Sequence, residues 1–343
     1  MDRPTVHDLA KYARVSLATV DRVLNGRPGV REQTIERVQK AIDELGYSRD
    51  ANAALLARKK PHRFVFLLPE ARTQFLQSLI AAINETATTH SSLRADIEVV
   101  QAPMRTPEEA AQTMRTLDAD ALDGLAIMAP ETPSIRDAVI KLRNNGTKVV
   151  PIVTDLPNAG CEHFVGVNNI AAGRTAALLL GGFASGTAGS VAVIGGHSMS
   201  RDFVERRLGF DEVMQQRFPK LQTLPTIEGF DDAYRVEALA RRMLMERSDL
   251  VGIYSAAAGT SGLISAMRDH GKTRPVIVAH DSTAATRQGL TDDFLDAVIV
   301  QDVGHIARSA VRVLRALKDG LPITAAQERI RIEIFTRENL PDP

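Results

Sequence analysis

Four polar residues each come just after a short, nearly continuous apolar run, and their types suit a hydroxyl-rich ligand. They are Glu70, Asp155, Asp281 and Gln301. Such runs are typical of strands buried on both faces, and open α/β sheets bind ligands beyond the carboxyl ends of their strands. An ionised carboxylate accepts two charge-assisted hydrogen bonds, so we expect these residues to meet around one polyhydroxy ligand. The alternative for each acid is a helix cap.

A second group of candidates lies near the N-terminus, on a helix predicted to begin after Ser16. One face of this helix is apolar, and the opposite face presents Leu17, Ala18 and Arg22. In a major groove, apolar side chains favour a thymine methyl and Arg favours guanine. Nearby hydroxyl and amide side chains are candidate phosphate contacts, which position without specifying. These are Thr5, Ser16, Thr19, Asn25 and Thr34.

Three short helices are predicted to hold this surface. The first carries an apolar stripe of Val6, Leu9, Ala10 and Ala13, and the third carries one of Ile35, Val38, Ile42 and Leu45. The arrangement is that of a helix-turn-helix, whose second helix enters the major groove. Any small three-helix bundle shows the same periodicity, so that alternative remains at this point.

The next segment, residues 50–60, is rich in Ala and Leu and ends in Arg58, Lys59 and Lys60. It has strong helix propensity but is shorter than the roughly 12 to 15 residues that an isolated helix needs in water. We therefore expect a hinge helix that is marginally stable. From Arg63 onward, short apolar runs alternate with helical stretches, which predicts doubly wound parallel sheets, and there are enough units for two α/β lobes.

Residues 5–60 resemble, without a gap, the headpiece and hinge helix of the lac-repressor (LacI/GalR) family of bacterial transcription regulators. The resemblance includes the pattern D-x-A-x-x-A-x-V-S-x-x-T-V-x-R-x-L-N and the hinge ending A-x-x-L-A. It implies that the body is similar to periplasmic sugar-binding proteins of type I, two Rossmann-like lobes joined by three crossovers.

The resemblance also implies domain boundaries. We expect a headpiece at residues 1–49, a hinge at 50–61 and an effector-binding and dimerisation domain at 62–343. The lobes are expected at 62–161 plus 292–320, and at 162–291 plus 321–343.

Further site residues follow from the resemblance alone. Arg206, in SRDFVERRLGF, matches the family's ligand-binding arginine, whose planar fork can hold two oxygens; its neighbour Arg207 is expected on a solvated face. Phe75 and Phe230 match positions where the family places rings against sugars, with core packing as the alternative. Leu56 is expected to wedge into the minor groove at the operator centre, together with Asn52 and Ala53.

Two departures from the family weaken parts of this picture. Many relatives have Asn-Asp where this chain has Ser255-Ala-Ala-Ala, so a polar contact falls to Ser255 or Thr260, or is lost. Asp21 replaces a small hydroxyl residue, and its charge should repel phosphates unless Arg14 or Arg22 neutralises it.

Composition restricts the function classes. The net charge is zero, but residues 1–60 carry twelve Lys and Arg against eight Asp and Glu, a balance of +4, which leaves −4 for the rest. Cys161 is the only cysteine, so an intrachain disulfide is excluded. The Gly-rich stretch at 180–189 lacks the ending of a phosphate loop, and the eight histidines lack metal-ligand spacing. We expect no cofactor, no metal, no membrane span and a cytoplasmic location.

Together these features predict a homodimeric repressor that binds a palindromic operator and responds to a sugar or polyol effector. Whether the effector releases DNA or promotes binding stays open, as do the operator sequence and the choice between dimer and tetramer. An activator or a ligand-independent DNA-binding protein is the alternative. An enzyme is disfavoured, because no nucleophile with a base is found.

Overall fold

The computed structural model describes residues 4–24, 27–45, 47, 61–89, 95–117, 122–197, 200–271 and 274–341. The chain divides into two compact units, residues 1–60 and 61–343. The predicted phosphate contact Asn25 and the predicted hinge residues Asn52, Ala53 and Leu56 lie outside the described residues.

Three helices are described in the N-terminal unit: α1 (Val6–Tyr12), α2 (Leu17–Leu24) and α3 (Glu32–Leu45). Leu9, Val20 and Val38, one from each helix, are fully buried and form a shared core. Ile35, predicted on the apolar stripe of α3, is 41% exposed, because Val38 and Ala41 occupy the buried face. The three-helix arrangement predicted from the apolar periodicity is therefore present.

The first lobe of the body is built on a four-stranded parallel sheet ordered β2-β1-β3-β4. Its elements are β1 (His62–Pro69), α4 (Gln74–Thr89), β2 (Ala95–Ala102), α5 (Pro107–Thr116), β3 (Gly124–Ile127), α6 (Pro133–Asn144) and β4 (Lys148–Pro151). Alternate side chains of β1 point to opposite faces: Phe64 and Phe66 pack under α4, and Val65 and Leu67 pack under α5 and α6.

The second lobe is built on a six-stranded sheet ordered β10-β9-β8-β7-β5-β6, in which β10 is antiparallel to β9 and the other pairs are parallel. The elements are α7 (Asn169–Phe183), β5 (Gly189–Gly195), α8 (Arg201–Arg217), β6 (Leu221–Glu228), α9 (Ala233–Glu246), β7 (Leu250–Ser255), α10 (Thr260–Arg268), β8 (Val276–His280), α11 (Ala284–Thr291), β9 (Ala297–Gln301) and β10 (Ile332–Phe335). Between β9 and β10 the chain returns to the first lobe, where α12 (Val303–Asp319) packs in the core and α13 (Ala325–Glu328) bonds to α12. α7 and α8 cover one face, and α9, α10 and α11 cover the other. The predicted class, a helical headpiece before two doubly wound lobes, is confirmed.

The crossovers between the lobes lie later in the chain than expected. Val167 still packs in the first-lobe core, β9 pairs with β8 in the second sheet, and α12 and Ile330 return to the first-lobe core before β10 pairs with β9. The chain therefore crosses after Val167, Gln301 and Ile330, which differs from the expected boundaries at 161, 291 and 320. The reason is that a polar turn looks the same whether the next strand joins the same sheet or the other one.

Candidate functional site

A cavity of about 840 Å³ lies between the two lobes of the body, at the carboxyl ends of their strands. Residues that follow β1, β2, β3 and β4 form one wall, and residues that follow β5, β6, β7 and β8 form the other. The lining includes Glu70, Arg105, Met128, Thr154, His197, Phe230, Ala258 and Asp281. Parallel strands of one sheet end at a common edge, so residues far apart in sequence meet here.

The seven predicted ligand residues divide into two sets. Those that line the cavity are Glu70, Phe75, Phe230 and Asp281. Those that do not line it are Asp155, Arg206 and Gln301.

Asp281 lies directly after β8, in a left-handed conformation with φ of 66°. Its carboxylate accepts a hydrogen bond from Gln301 Nε2 at 3.4 Å, and its carbonyl accepts one from Thr286 Oγ1 at 2.7 Å. Burial raises the pKa of the Asp281 carboxyl, and the positive charge of Arg206 partly offsets this. Gln301 thus orients the acid that faces the cavity.

Arg206 is 3% exposed and is held behind the cavity wall. Its Nε donates to Asn169 Oδ1 and its Nη1 donates to the Ala256 carbonyl, both at 2.9 Å, and Asp202 Oδ2 lies 4.0 Å from Nη2. Arg207, expected on a solvated face, is instead half-buried and donates to Asp211 and to Thr226 in β6, both at 2.7 Å. Two buried hydrogen bonds and a nearby carboxylate fix the Arg206 guanidinium.

Close packing of α7 against α8 sets the position of Arg206. A Cβ atom at Gly173 in α7 would lie 1.9 Å from the Arg206 carbonyl oxygen. A Cβ atom at Gly209 in α8 would lie 2.1 Å from the Ile170 carbonyl oxygen. Because no side chain fits at either site, the two helix backbones approach each other at these glycines.

The end of β4 contributes a hydroxyl to the cavity. Thr154 lines the cavity, is 4% exposed, and its Oγ1 has no hydrogen-bond partner within the described ranges. The next residue, Asp155, accepts a hydrogen bond from the Leu156 amide at 2.7 Å and so stabilises its own turn. Thr154, which the sequence did not nominate, is therefore better placed for a ligand than Asp155.

A buried tyrosine and histidine meet under the cavity, and neither was predicted as a site residue. The Tyr254 hydroxyl lies 2.8 Å from His280 Nε2, and Tyr254 stacks on Phe210 with ring centroids 4.5 Å apart. Burial raises the pKa of Tyr254 and, helped by the Arg206 charge, lowers the pKa of His280 well below its usual value. The pair is therefore neutral near pH 7, and its second member lines the cavity.

The segment that departs from the family after β7 still offers a hydroxyl. Thr260 lines the cavity, whereas Ser255 does not. The two side-chain oxygens lie 2.9 Å apart, and both residues are buried. Of the two alternatives, Thr260 is the one placed to contact a ligand.

A strained loop after β6 forms part of the second-lobe wall. Phe230 and Asp231 are consecutive left-handed residues, with φ of 54° and 59°. The Arg235 guanidinium lies 4.7 Å above the Phe230 ring, and the His197 ring meets it edge-on at 5.4 Å. Arg105, from the opposite lobe, donates to the Phe230 carbonyl at 2.6 Å. Sequence reasoning missed Arg105, although it follows the predicted strand β2.

In the N-terminal unit, α2 presents an exposed face that combines apolar and basic side chains. Leu17 is 44% exposed, and Ala18 and Arg22 are also exposed. Ser16 caps the helix, because its Oγ accepts from the Thr19 amide at 3.2 Å. Three residues with the chemistry of base contacts therefore share one accessible surface.

The other predicted headpiece contacts have local roles that the structure describes. Thr5 and Asp8 form a capping box at α1, in which the Thr5 amide donates to the Asp8 carboxylate at 2.8 Å. Thr34 lies half-buried in the first turn of α3. Asp21 forms an exposed ion pair with Arg27 at 3.4 Å, which offsets the charge expected to repel phosphates.

The fold joins a helix-turn-helix unit to a two-lobed body with a ligand-sized cavity, and two family models match these parts. Residues 64–322 match the periplasmic binding protein domain, and residues 5–50 match the bacterial regulatory proteins of the lacI family. The chain belongs to the periplasmic binding protein domain family through its body, and it carries an N-terminal helix-turn-helix domain of the lacI family.

Among curated proteins, the chain is similar to catabolite control protein A. The Staphylococcus aureus protein is 26% identical over 212 residues, which cover 62% of this chain and 61% of that protein. The Streptococcus mutans protein is 30% identical over 167 residues, 47% of this chain and 48% of that one. The chain thus spans about three fifths or less of these relatives' length.

Solved structures share the fold of the body. An ABC transporter solute binding protein from Burkholderia graminis in complex with D-arabinose matches with a TM-score of 0.73 and 23% identity, over 82% of this chain and 98% of that one. A glucose-galactose binding protein from Geobacillus stearothermophilus matches with a TM-score of 0.73 and 20% identity, over 82% and 100%.

In the part of the chain that the structure describes, no helix has the length and apolar character to cross a membrane, and no three His, Cys, Asp or Glu residues are grouped to hold a metal ion. Cys161 is half-buried, and burial raises its pKa to about 11, so its reactive thiolate is scarce near pH 7.

Proposed function

We propose that this protein is a ligand-responsive, sequence-specific DNA-binding transcription regulator, and in its simplest form a repressor. One observation carries the proposal: a single chain holds both an exposed helix-turn-helix face and an interlobe cavity lined with carboxylates, hydroxyls and aromatic rings. Two binding sites in one chain allow a ligand at one to change affinity at the other.

The effector in this proposal is a carbohydrate or polyol. Glu70 and Asp281 accept hydrogen bonds from hydroxyls, and the rings of Phe75 and Phe230 cover the C–H faces of a sugar. Support comes from the fold shared with solute binding proteins in complex with D-arabinose and, from Actinobacillus succinogenes, with D-allose, the latter at a TM-score of 0.72 and 16% identity. The three predicted residues that do not line the cavity are proposed to position the lining residues from behind; these are Asp155, Arg206 and Gln301.

The DNA contacts in this proposal come from α2 and its surroundings. Leu17, Ala18 and Arg22 contact base edges, and Thr5, Ser16, Thr19, Asn25 and Thr34 contact phosphates. Exposure of the α2 face supports this assignment. One headpiece covers too little DNA to discriminate well, so the proposal includes a homodimer on a palindromic operator.

Coupling between the sites is assigned to the hinge. Leu56, with Asn52 and Ala53, would enter the minor groove where two half-sites meet. A ligand that shifts one lobe against the other changes the separation at which two hinges leave a dimer. A short helix near its stability limit forms or melts with that separation, and DNA affinity follows.

The test is selection of operator sequences from a random duplex pool with the full-length protein, followed by titration of operator affinity against pentoses, hexoses and polyols. We expect one palindrome to be enriched, and one ligand class to change its affinity roughly tenfold or more. A fall in affinity identifies an induced repressor, and a rise identifies a co-repressed one. Recovery of no preferred palindrome would contradict the proposal.

Two single variants separate the sites in the same assay. Arg22→Ala should lose operator preference and keep ligand binding, measured by calorimetry. Asp281→Asn should keep operator binding and weaken the ligand response. If Arg22→Ala leaves the selected palindrome unchanged, the base contacts lie elsewhere.

A further inference from the structure

The charged side chains that line the cavity do not balance. Four carboxylate side chains and two guanidinium side chains line it, so acidic groups outnumber basic groups by two. The acids are Glu70, Asp231, Asp232 and Asp281, and the bases are Arg72 and Arg105. An anionic ligand therefore meets a wall of its own sign of charge.

The nearby cations are already engaged with the protein. Arg105 donates from Nη2 to the Phe230 carbonyl at 2.6 Å. Arg206 does not line the cavity, and its Nε and Nη1 are bonded to Asn169 and to the Ala256 carbonyl. Arg206 therefore offers a phosphate no direct contact, Arg105 has one of its donors occupied by the Phe230 carbonyl, and Arg72 is exposed to solvent.

The second-lobe wall concentrates the negative charge. Asp231 and Asp281 both line the cavity, and Asp202 lies close enough to act on both. Desolvation of the carboxyl groups in the cleft raises the pKa of each; the Asp202 charge adds to the shift, and the Arg206 charge opposes it. Both lining acids keep a left-handed backbone that few non-glycine residues adopt, so the fold holds them in place at a conformational cost.

One buried group points to the chemistry that the cavity accepts. Thr154 lines the cavity, is 4% exposed, and its Oγ1 has no hydrogen-bond partner within the described segments. A buried hydroxyl without a partner costs free energy, and a ligand hydroxyl removes that cost by donating or accepting one hydrogen bond. A ligand hydroxyl can bond to the Thr154 hydroxyl and can also donate to the surrounding carboxylates. An anionic oxygen can accept from Thr154 but has no proton to donate to the carboxylates.

We propose that the cavity selects an uncharged polyhydroxy ligand and rejects the same sugar once it bears a phosphate or a carboxylate. This rests on the proposed function and narrows its effector class. It also gives the effector a place in a reaction sequence. A kinase that transfers a phosphoryl group from a nucleoside triphosphate to a hydroxyl of the free sugar, releasing the diphosphate, consumes the signal.

The experiment is calorimetry on the full-length protein with matched pairs of ligands: D-arabinose and D-allose, each against its terminal phosphate ester, and D-glucose against D-glucuronate. We expect the neutral member of any pair that binds to bind roughly tenfold tighter or more, because like charges repel in a desolvated cleft. Equal or tighter binding of the charged member overturns the inference and leaves the proposed effector site standing. Binding of no sugar, neutral or charged, counts against the proposed function and the inference together.

A pair of charge variants locates the origin of the selection. Asp231→Asn removes one lining charge and should narrow the affinity gap about threefold. Asp137→Asn removes the same charge from an exposed side chain on α6, 74% accessible, that does not line the cavity, and should leave the gap unchanged. If both variants narrow the gap equally, the selection comes from net charge and the inference fails.

Discussion

The α2 face of the headpiece and the wall of the interlobe cavity are both candidate binding surfaces, but they are built in opposite ways. Leu17, Ala18 and Arg22 lie on two turns of one helix and are exposed to solvent. The cavity wall brings together residues as distant as Glu70 and Asp281, and Asp281 is bonded to the buried side chain of Gln301.

This difference predicts how substitutions act. A side chain on the α2 face can be removed without breaking a packed contact, so binding and folding should separate. A side chain in or behind the cavity wall supports other buried groups, so binding and folding should change together. The free energy of unfolding should therefore change most for residues behind the wall and least for residues on the α2 face.

The largest loss is expected from Arg206→Ala. The substitution leaves Asn169 Oδ1 and the Ala256 carbonyl without their donor and Asp202 without its nearest cation, so we expect a loss of about 3–5 kcal/mol in urea unfolding of the body. Arg207→Ala is the matched control: it loses a partly exposed i,i+4 pair with Asp211 and a hydrogen bond from Nη1 to Thr226 Oγ1 at 2.7 Å, so about 1–2 kcal/mol should be lost. Equal losses of unfolding free energy in the two variants would show that the buried hydrogen bonds of Arg206 do not stabilise the wall.

Two glycines in the same helix test the support behind the wall. Gly173→Ala would place Cβ 1.9 Å from the Arg206 carbonyl oxygen, and forcing α7 from α8 should cost about 1–3 kcal/mol. Gly182→Ala meets nothing within 4 Å and should stabilise by about 0.5–1 kcal/mol, because alanine favours the helix. Thermal unfolding of both variants gives the comparison. If the two substitutions shift the melting temperature in the same direction, the packing argument is contradicted.

The contrast between the two surfaces also explains what the sequence predicted. The headpiece depends on contacts three or four residues apart, so apolar periodicity was sufficient for α1, α2 and α3. The strand-end rule nominated Glu70 and Asp281, which line the cavity, because β1 and β8 are buried, apolar strands. The rule also nominated Asp155 and Gln301, which follow the apolar strands β4 and β9 but do not line the cavity, because composition locates the end of a strand and not the direction of the next side chain.

Residues that the sequence missed lie where composition carries no such signal. Asp231 follows β6, whose sequence LQTLPTIE is mostly half-exposed and does not form an apolar run. His280 lies inside the apolar run of β8, where its polarity gave no reason to assign it to a cavity. The crossover after Gln301 depends on which strand pairs with β9, a long-range choice that local pattern does not contain.

A smaller effect, with a defined pH dependence, is expected from Asp281→Asn. The folded-state pKa of Asp281 is raised, so the folded protein binds its proton more tightly than the unfolded chain, whose value is near 3.8. This contribution to stability is fully present below that value and is lost as the pH rises through the folded-state pKa. The unfolding free energy of the variant should therefore fall less between low pH and pH 7 than that of the parent protein. Relative to the parent, the variant gains stability near pH 7. If the variant and the parent protein differ in unfolding free energy by the same amount at pH 4 and at pH 8, the raised pKa is contradicted.

The smallest effect on unfolding is expected from Arg22→Ala, and this variant tests the contrast most directly. The side chain is exposed on α2, and alanine is the better helix former, so the unfolding free energy of the headpiece should stay within about 0.5 kcal/mol of the parent value. Operator affinity should nevertheless fall by about 1–3 kcal/mol if Arg22 contacts a base edge, and preference at one base position should relax. Binding to a panel of single-base operator variants distinguishes this from a phosphate contact, whose loss would weaken all sequences alike. If unfolding and binding instead change in proportion, the α2 face is part of the folded core, and the distinction between the two surfaces does not hold.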